Sequence, residues 1–199
     1  LMNRAFKKIL PGTMLGLGIM FWGASAQAYK VFVSNEKDNT ISVIDSDSFK
    51  VIKTVEVGQR PRGIILSKDK RYLYICASDD DHVEVMDTET YKIIDTLPSG
   101  PDPELFILHP DGVRLYIANE DDNMVTVVNV NTGQVLVEIP VGVEPEGMAV
   151  SPDGKTIVNT SETTNMAHFI DTETLEITDN VLVDSRPRFA EYTDDGKFI

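Results

Sequence analysis

The chain has 199 residues, of which 32 are acidic and 18 are basic, so its formal net charge at pH 7 is −14. This charge argues against nucleic acid or anionic lipid as a partner, because contacts to phosphate groups need a basic surface. A single cysteine, Cys76, excludes an internal disulfide bond. It lies in the apolar segment Leu73–Ala77, which favours a buried and unreactive thiol over a nucleophile.

The first 28 residues have the pattern of a secretory signal peptide. Three basic residues precede an apolar run over residues 13–24, and a small-residue cleavage site, Ala-Gln-Ala, ends at Ala28. The run is shorter than the roughly 20 residues that a membrane span needs. We therefore expect export to the periplasm, cleavage after Ala28 and no membrane insertion afterwards. The remaining chain would carry 15 basic and 32 acidic residues, a net charge of −17, because residues 1–28 hold three basic residues and no acid.

From Tyr29 onwards the chain consists of repeats of 42 residues. The repeat is clearest in four prolines and four aspartates that keep this spacing: Pro61, Pro103, Pro145, Pro187, Asp69, Asp111, Asp153 and Asp195. A fixed period in the 40s, with several short strands in each unit, is typical of a β-propeller blade.

The strands of one repeat are predicted from residues 105–142, where short runs rich in Val, Ile and Tyr alternate with turn residues. The four predicted strands are Leu105–His109, Arg114–Asn119, Met124–Asn129 and Gln134–Val141. No segment after residue 28 shows the 3.6-residue apolar period of a helix. The sequence therefore predicts an all-β fold, a β-propeller built from four-stranded antiparallel blades.

The order of the strands predicts only part of a propeller. The chain enters at a second strand, Lys30–Asn35, and completes blades at about 63–99, 105–142 and 147–184, with one further inner strand after them. Propellers usually have about 4–8 blades. We therefore expect residues 29–199 to be a truncated fragment of a larger ring.

Two segments, Val31–Asn35 and Leu115–Asn119, resemble the YVTN-type β-propeller repeat, whose longer members usually have about seven blades. The blade-specific loops more narrowly resemble the PQQ-dependent catabolism-associated β-propeller proteins. These loops are residues 34–39, 57–63, 76–81, 99–106, 119–123, 159–168 and 186–190. The resemblance implies a periplasmic accessory protein of quinoprotein alcohol oxidation, without an established catalytic activity. A quinoprotein dehydrogenase or its cytochrome is then a candidate partner.

The loop before each inner strand carries a charged pair that flanks the repeated proline. The pairs are Arg60 and Arg62, Asp102 and Glu104, Glu144 and Glu146, and Arg186 and Arg188. In a propeller these loops surround one mouth of the central channel. Arginine–carboxylate bridges between neighbouring blades would satisfy the charges internally. Alternatively, the pairs bind a charged small molecule, a metal or a loop of a partner protein.

The loops between second and third strands should open on the same face, and they are mostly acidic. Clustered carboxylates suit Ca²⁺, but no EF-hand loop is present, so solvated turn carboxylates are the simpler interpretation. The fourth copy differs most, because Thr163 and Thr164 replace acids and Met166 and His168 follow. We therefore predict a contact site at Glu162–His168. His109, at the opposite end of an inner strand, is predicted to be structural.

Two functions remain in contention on the sequence alone. The first is a non-catalytic periplasmic propeller that binds a protein or a small charged ligand at its channel mouth. The alternative is a lactonase-like hydrolase with a metal held in the channel by Glu104, Glu120, Glu146 and Glu162. No cofactor is predicted: there is no CxxCH haem attachment site, and the only tryptophan lies in the predicted signal peptide, although the arginine pairs could hold the carboxylates of PQQ.

Overall fold

The computed structural model describes residues 29–199, which form four antiparallel sheets. The predicted signal peptide lies outside the described residues. The first sheet has three strands, β1 (Lys30–Asn35), β2 (Thr40–Asp45) and β3 (Lys50–Glu56). The second sheet contains β4 (Pro61–Leu66), β5 (Tyr72–Ala77), β6 (His82–Asp87) and β7 (Ile93–Pro98). The third contains β8 (Pro103–Leu108), β9 (Arg114–Asn119), β10 (Met124–Asn129) and β11 (Gln134–Pro140), and the fourth β12 (Pro145–Val150), β13 (Thr156–Ser161), β14 (Met166–Asp171) and β15 (Ile177–Leu182).

Each sheet is an antiparallel meander in which every strand pairs with the next one along the chain. The predicted all-β fold of propeller blades is therefore confirmed. We number the blades one to four in chain order; the first lacks an inner strand in the described part of the chain. The one helical segment among residues 29–199 is a single 3₁₀ turn, Ser78–Asp80.

The sheets are packed face to face, and this packing explains the apolar runs of the middle strands. In β5 and β9 nearly every residue is buried, whereas β7 and β11 are largely exposed. A middle strand is covered on both faces by the neighbouring blades, so both sets of alternating side chains must be apolar. The resulting core lies between blades: one cluster combines Cys76 and Val83 of blade two with Phe106 and Leu115 of blade three.

The last predicted inner strand differs from the expectation. Residues 187–193 form no strand, although Ala190 packs with Ala149 and Val158 of blade four as an inner-strand residue would. The backbone N–H of Thr193 donates to the carbonyl of Phe198, which closes the expected turn. A ladder needs a hydrogen-bonded neighbour, and within residues 29–199 no strand follows this turn.

In the part of the chain that the structure describes, no helix has the length and apolar character needed to cross a membrane.

Candidate functional site: a charged channel mouth

Two sets of loops lie together at one end of the inner strands, and we call this surface the mouth. It comprises the four loops before the inner strands (59–62, 101–104, 143–146 and 185–188) and the four loops after the second strands (36–39, 78–81, 120–123 and 162–165). Backbone hydrogen bonds join the two sets, for example from the N–H of Glu120 to the carbonyl of Asp102. The expectation that both sets open on one face is therefore confirmed.

The same backbone device positions each charged pair. Arg60, Asp102, Glu144 and Arg186 all have a positive φ, between 51° and 58°. The N–H of each one donates to a side-chain oxygen of the preceding blade, supplied by Asn39, Asp81, Asn123 and Asn165 respectively. Non-glycine residues adopt this left-handed conformation at a cost, which such hydrogen bonds offset. This hydrogen bond fixes the position of the first residue of each charged pair relative to the preceding blade.

The arginines of blade two bridge to the acids of blade three. Arg60 contacts Asp102 at 2.8 Å and Glu104 at 2.6 Å, and Arg62 contacts the second oxygen of Glu104. Arg62 also reaches back to Glu36 of blade one at 3.2 Å. Glu104 is fully buried, so the two guanidinium groups supply the charge compensation that a buried carboxylate needs. The predicted internal bridges between neighbouring blades are present here.

The second arginine pair makes a looser cluster. Arg186 and Arg188 both contact Glu162, and Arg188 lies 3.6 Å from Glu146. The side chains of Arg186 and Arg188 are 67% and 52% exposed, against 28% and 25% for Arg60 and Arg62. The difference in exposure has a geometric source: blade three covers Arg60 and Arg62, whereas within residues 29–199 no blade follows Arg186 and Arg188.

Two pairs of carboxyl groups occupy equivalent positions in blades three and four. Burial raises the pKa of Glu104 to about 8; Arg62 opposes this shift, and the carboxyl of Glu120 adds to it. Burial and a hydrogen bond with Glu162 raise the pKa of Glu146 to about 7. In contrast, a hydrogen bond from Arg188 lowers the pKa of Glu162. In both pairs the neighbouring carboxyl adds to the effect of burial, because two adjacent carboxylates cannot both be charged cheaply.

The alternative of a channel metal has one geometric feature in its favour. Carboxylate oxygens of Asp102, Glu104 and Glu120 all lie within 4.8 Å of one another. However, Arg60 and Arg62 contact the same carboxylates, so a cation would have to displace two guanidinium groups. The predicted ligands Glu146 and Glu162 belong to the other carboxyl pair.

His168 occupies a buried position instead of projecting from the mouth. It is 5% exposed, its Nε2 accepts a hydrogen bond from the N–H of Gly142 at 2.9 Å, and its Nδ1 donates to the Oδ1 of Asn180 at 2.5 Å. Equivalent linker glycines, Gly58 and Gly100, donate in the same way to Glu84 and Asn119 of their following blades. His168 therefore joins blades three and four by the same kind of contact.

The other two histidines and the cysteine make no hydrogen bond to the charged pairs of the mouth. His109 is buried and its Nε2 donates to the carbonyl of Gly154 at 2.7 Å, which confirms its predicted structural role. His82 binds the carbonyl of Asp80 in its own loop. Cys76 is fully buried, and burial raises the pKa of its thiol well above the usual value, as an unreactive thiol requires.

Sequence reasoning missed several residues that complete these contacts. Thr163 donates to Glu144, and Asn180 orients His168. The role of Gly142 was also missed, although glycines at the equivalent positions 58 and 100 indicate that this position of the repeat requires a glycine. An added Cβ at Gly142 would lie 2.9 Å from the Nε2 of His168, so the linker passes too close to the blade for any side chain.

Comparison with known proteins supports the fold. No protein-family model matches the sequence, and no curated protein matches it. Among solved structures, hydrazine synthase of Kuenenia stuttgartiensis is similar at 26% sequence identity with a TM-score of 0.79. The match covers 84% of this chain and 50% of the hydrazine synthase chain, so the present chain spans about half the length of that protein. The matched half agrees with residues 29–199 being part of a propeller.

Proposed function

We propose that this chain is part of a non-catalytic periplasmic propeller that binds a protein partner or a small charged ligand at its mouth. The observation that carries the proposal is that two arginine pairs and two carboxyl pairs converge on this one surface. Burial raises the pKa values of Glu104 and Glu146, one carboxyl of each pair. Charged groups beside carboxyls with raised pKa values are typical of binding and functional sites.

The assignment to PQQ-dependent alcohol catabolism rests on the resemblance of the blade-specific loops. A quinoprotein dehydrogenase or its cytochrome is the proposed partner, with an acidic segment that faces the exposed arginines. Because the mouth already holds both signs of charge, it favours a partner that presents a matching pattern over one that is uniformly charged. The name of the similar solved structure, hydrazine synthase, describes that protein and carries no activity to this chain.

The decisive experiment is capture from periplasmic extract with the chain and with an Arg186→Ala/Arg188→Ala variant. We expect the unchanged chain to retain a quinoprotein dehydrogenase or its cytochrome, identified by mass spectrometry, and the variant to lose it. A Lys92→Ala/Lys155→Ala variant is the matched control, since it removes two exposed positive charges that lie outside the mouth. Equal retention by all three proteins, or retention of neither partner, would overturn the docking proposal.

The metal-dependent hydrolase is the second candidate, and the close approach of Asp102, Glu104 and Glu120 is the observation in its favour. It predicts that a divalent cation binds with a defined stoichiometry and that Glu104→Gln together with Glu120→Gln abolishes binding. Calorimetric titration with Ca²⁺, Mn²⁺ and Zn²⁺ tests this. A blank titration would remove the hydrolase and leave the binding proposal unaffected.

A further inference from the structure

The face opposite the mouth contains three successive grooves between neighbouring blades. They can be compared residue by residue, because the 42-residue spacing places equivalent residues in each groove. The second strand of one blade begins at position 30, 72 or 114, and it faces the turn of the next blade at position 88, 130 or 172. The chain therefore provides two internal references for each groove.

In the two outer grooves a cationic side chain crosses to the next blade. The Nζ of Lys30 donates to the carbonyl of Thr88 at 2.9 Å and lies 4.7 Å from the centre of the Tyr91 ring. The guanidinium group of Arg114 donates to the carbonyl of Thr172. The two cations therefore donate to equivalent backbone carbonyl groups, which lie two repeats apart in the sequence.

The middle groove lacks this cation. The residue equivalent to Lys30 and Arg114 is Tyr72, and no hydrogen bond reaches the carbonyl of Val130 within residues 29–199. His109, which helps to fill the next groove, is replaced here by the smaller Ser67. The result is an open cavity of about 650 Å³ between blades two and three.

The lining of this cavity combines an apolar floor with an acidic rim. Tyr74 and Val85 form part of the floor, and Asp69, Asp95 and Asp111 belong to the rim. Asp111 is paired with Arg114 at 2.7 Å, but Asp95 has no salt bridge in the described part of the chain.

One basic side chain, Lys68, also lines the cavity and another, Arg71, lies near it, but neither takes the vacant position. The Nζ of Lys68 donates to the carbonyl of Pro110 at 2.9 Å, so it is held at the turn of blade three. Arg71 lies over the ring of Tyr72 at 5.4 Å. Neither side chain donates to the carbonyl of Val130.

We propose that the middle groove binds a small organic cation, a primary amine or guanidinium with a short apolar body. Its charged group occupies the place that Lys30 and Arg114 fill in the outer grooves and donates to the carbonyl of Val130. Asp95 supplies the counter-charge, and the apolar body packs against Tyr74 and Val85. A charge-assisted hydrogen bond inside a partly apolar cavity provides both affinity and selection for the cation. This site lies at the opposite end of the inner strands from the mouth and is independent of the function proposed there.

The test is calorimetric titration of the chain with benzylamine and with benzyl alcohol, which has the same apolar body without the charge. We expect one benzylamine per chain, with the alcohol bound about tenfold more weakly or not at all. Asp95→Asn should weaken benzylamine binding about tenfold, because it removes the counter-charge without changing the shape of the cavity. Equal affinity for the amine and the alcohol would overturn the proposal.

One further variant uses the internal references. Tyr72→Arg places the chain's own cation in the middle groove, as Arg114 does in the next one, and should abolish benzylamine binding. Unchanged binding to a folded Tyr72→Arg variant would contradict the assignment of the site. If that variant does not fold, the Asp95→Asn titration decides the question.

Discussion

At the level of single residues, His168 shows how a departure from the repeat can be structural. The sequence places it beside Glu162 in the loop that differs most from its equivalents, which predicts a contact residue. The structure gives its ring three internal partners, the N–H of Gly142, the side chain of Asn180 and the hydroxyl of Ser161. The three linkers before blades two, three and four share the glycine, and its acceptor changes from Glu84 to Asn119 to His168.

His168→Ala should therefore lower the free energy of unfolding by about 1–3 kcal/mol, because the partly buried N–H of Gly142 loses its acceptor. Urea denaturation of the purified chain measures this change. His82→Ala is the control, since His82 is half-buried and bonds only within its own loop, and it should cost about 1 kcal/mol or less. Normal stability combined with loss of partner retention would restore His168 as a contact residue of the mouth.

At the level of strands, the inner ring is built from close backbone contacts. One position of the inner strand is a glycine in two repeats, at Gly63 and Gly147. The same position is a large residue in the other two, at Leu105 and Phe189. A Cβ atom at Gly63 would lie 2.8 Å from the carbonyl oxygen of Glu104 and 3.1 Å from the Cα of Leu105. Small and large residues in alternation allow neighbouring inner strands to approach along the channel, as in other narrow β structures.

Gly63→Ala should destabilise the chain by about 1–3 kcal/mol, because the new methyl group meets backbone that cannot rotate away. It should also move β4 from β8 and weaken the contact between Arg62 and Glu104. Gly133→Asn is the matched control: that turn residue has φ +68° and nothing within 4 Å, and asparagine tolerates the left-handed conformation. Thermal unfolding of both variants distinguishes them, and equal midpoints would contradict the close packing of the inner strands.

The sequence predicts the strands well and the partners of the charged side chains poorly. The bounds Arg114–Asn119 and Met124–Asn129 agree with the structure, because a 42-residue period and apolar runs are local properties of the chain. The inner strand begins at Pro103 instead of Leu105, since its first pairing is made by a proline that looks like a turn residue. Which arginine meets which acid depends on the rotation between blades, and no spacing in the sequence encodes that rotation.

At the level of the whole molecule, the acidic residues divide into two groups with opposite effects on stability. Turn aspartates such as Asp87 and Asp171 accept hydrogen bonds from backbone N–H groups, which lowers their pKa values. They stabilise the fold at neutral pH and lose that contribution only in acid. The buried carboxyls Glu104 and Glu146 behave in the opposite way, because their pKa values in the folded state are raised to about 8 and about 7.

The free energy of unfolding should therefore decrease as the pH rises from about 5 to about 8. Below their ordinary value of 4.5 both carboxyls are protonated in the folded and unfolded states. Between 4.5 and the raised values the unfolded chain releases protons that the folded chain retains, so each step upward in pH favours unfolding. Above about 8 the loss is complete. Urea titrations at several pH values measure the slope, and Glu104→Gln/Glu146→Gln should flatten it, because a glutamine does not titrate. A curve for the unchanged chain that is flat or rises over this interval would mean that the arginines keep both carboxylates ionised, and the mouth would then be a fully satisfied ion-pair network.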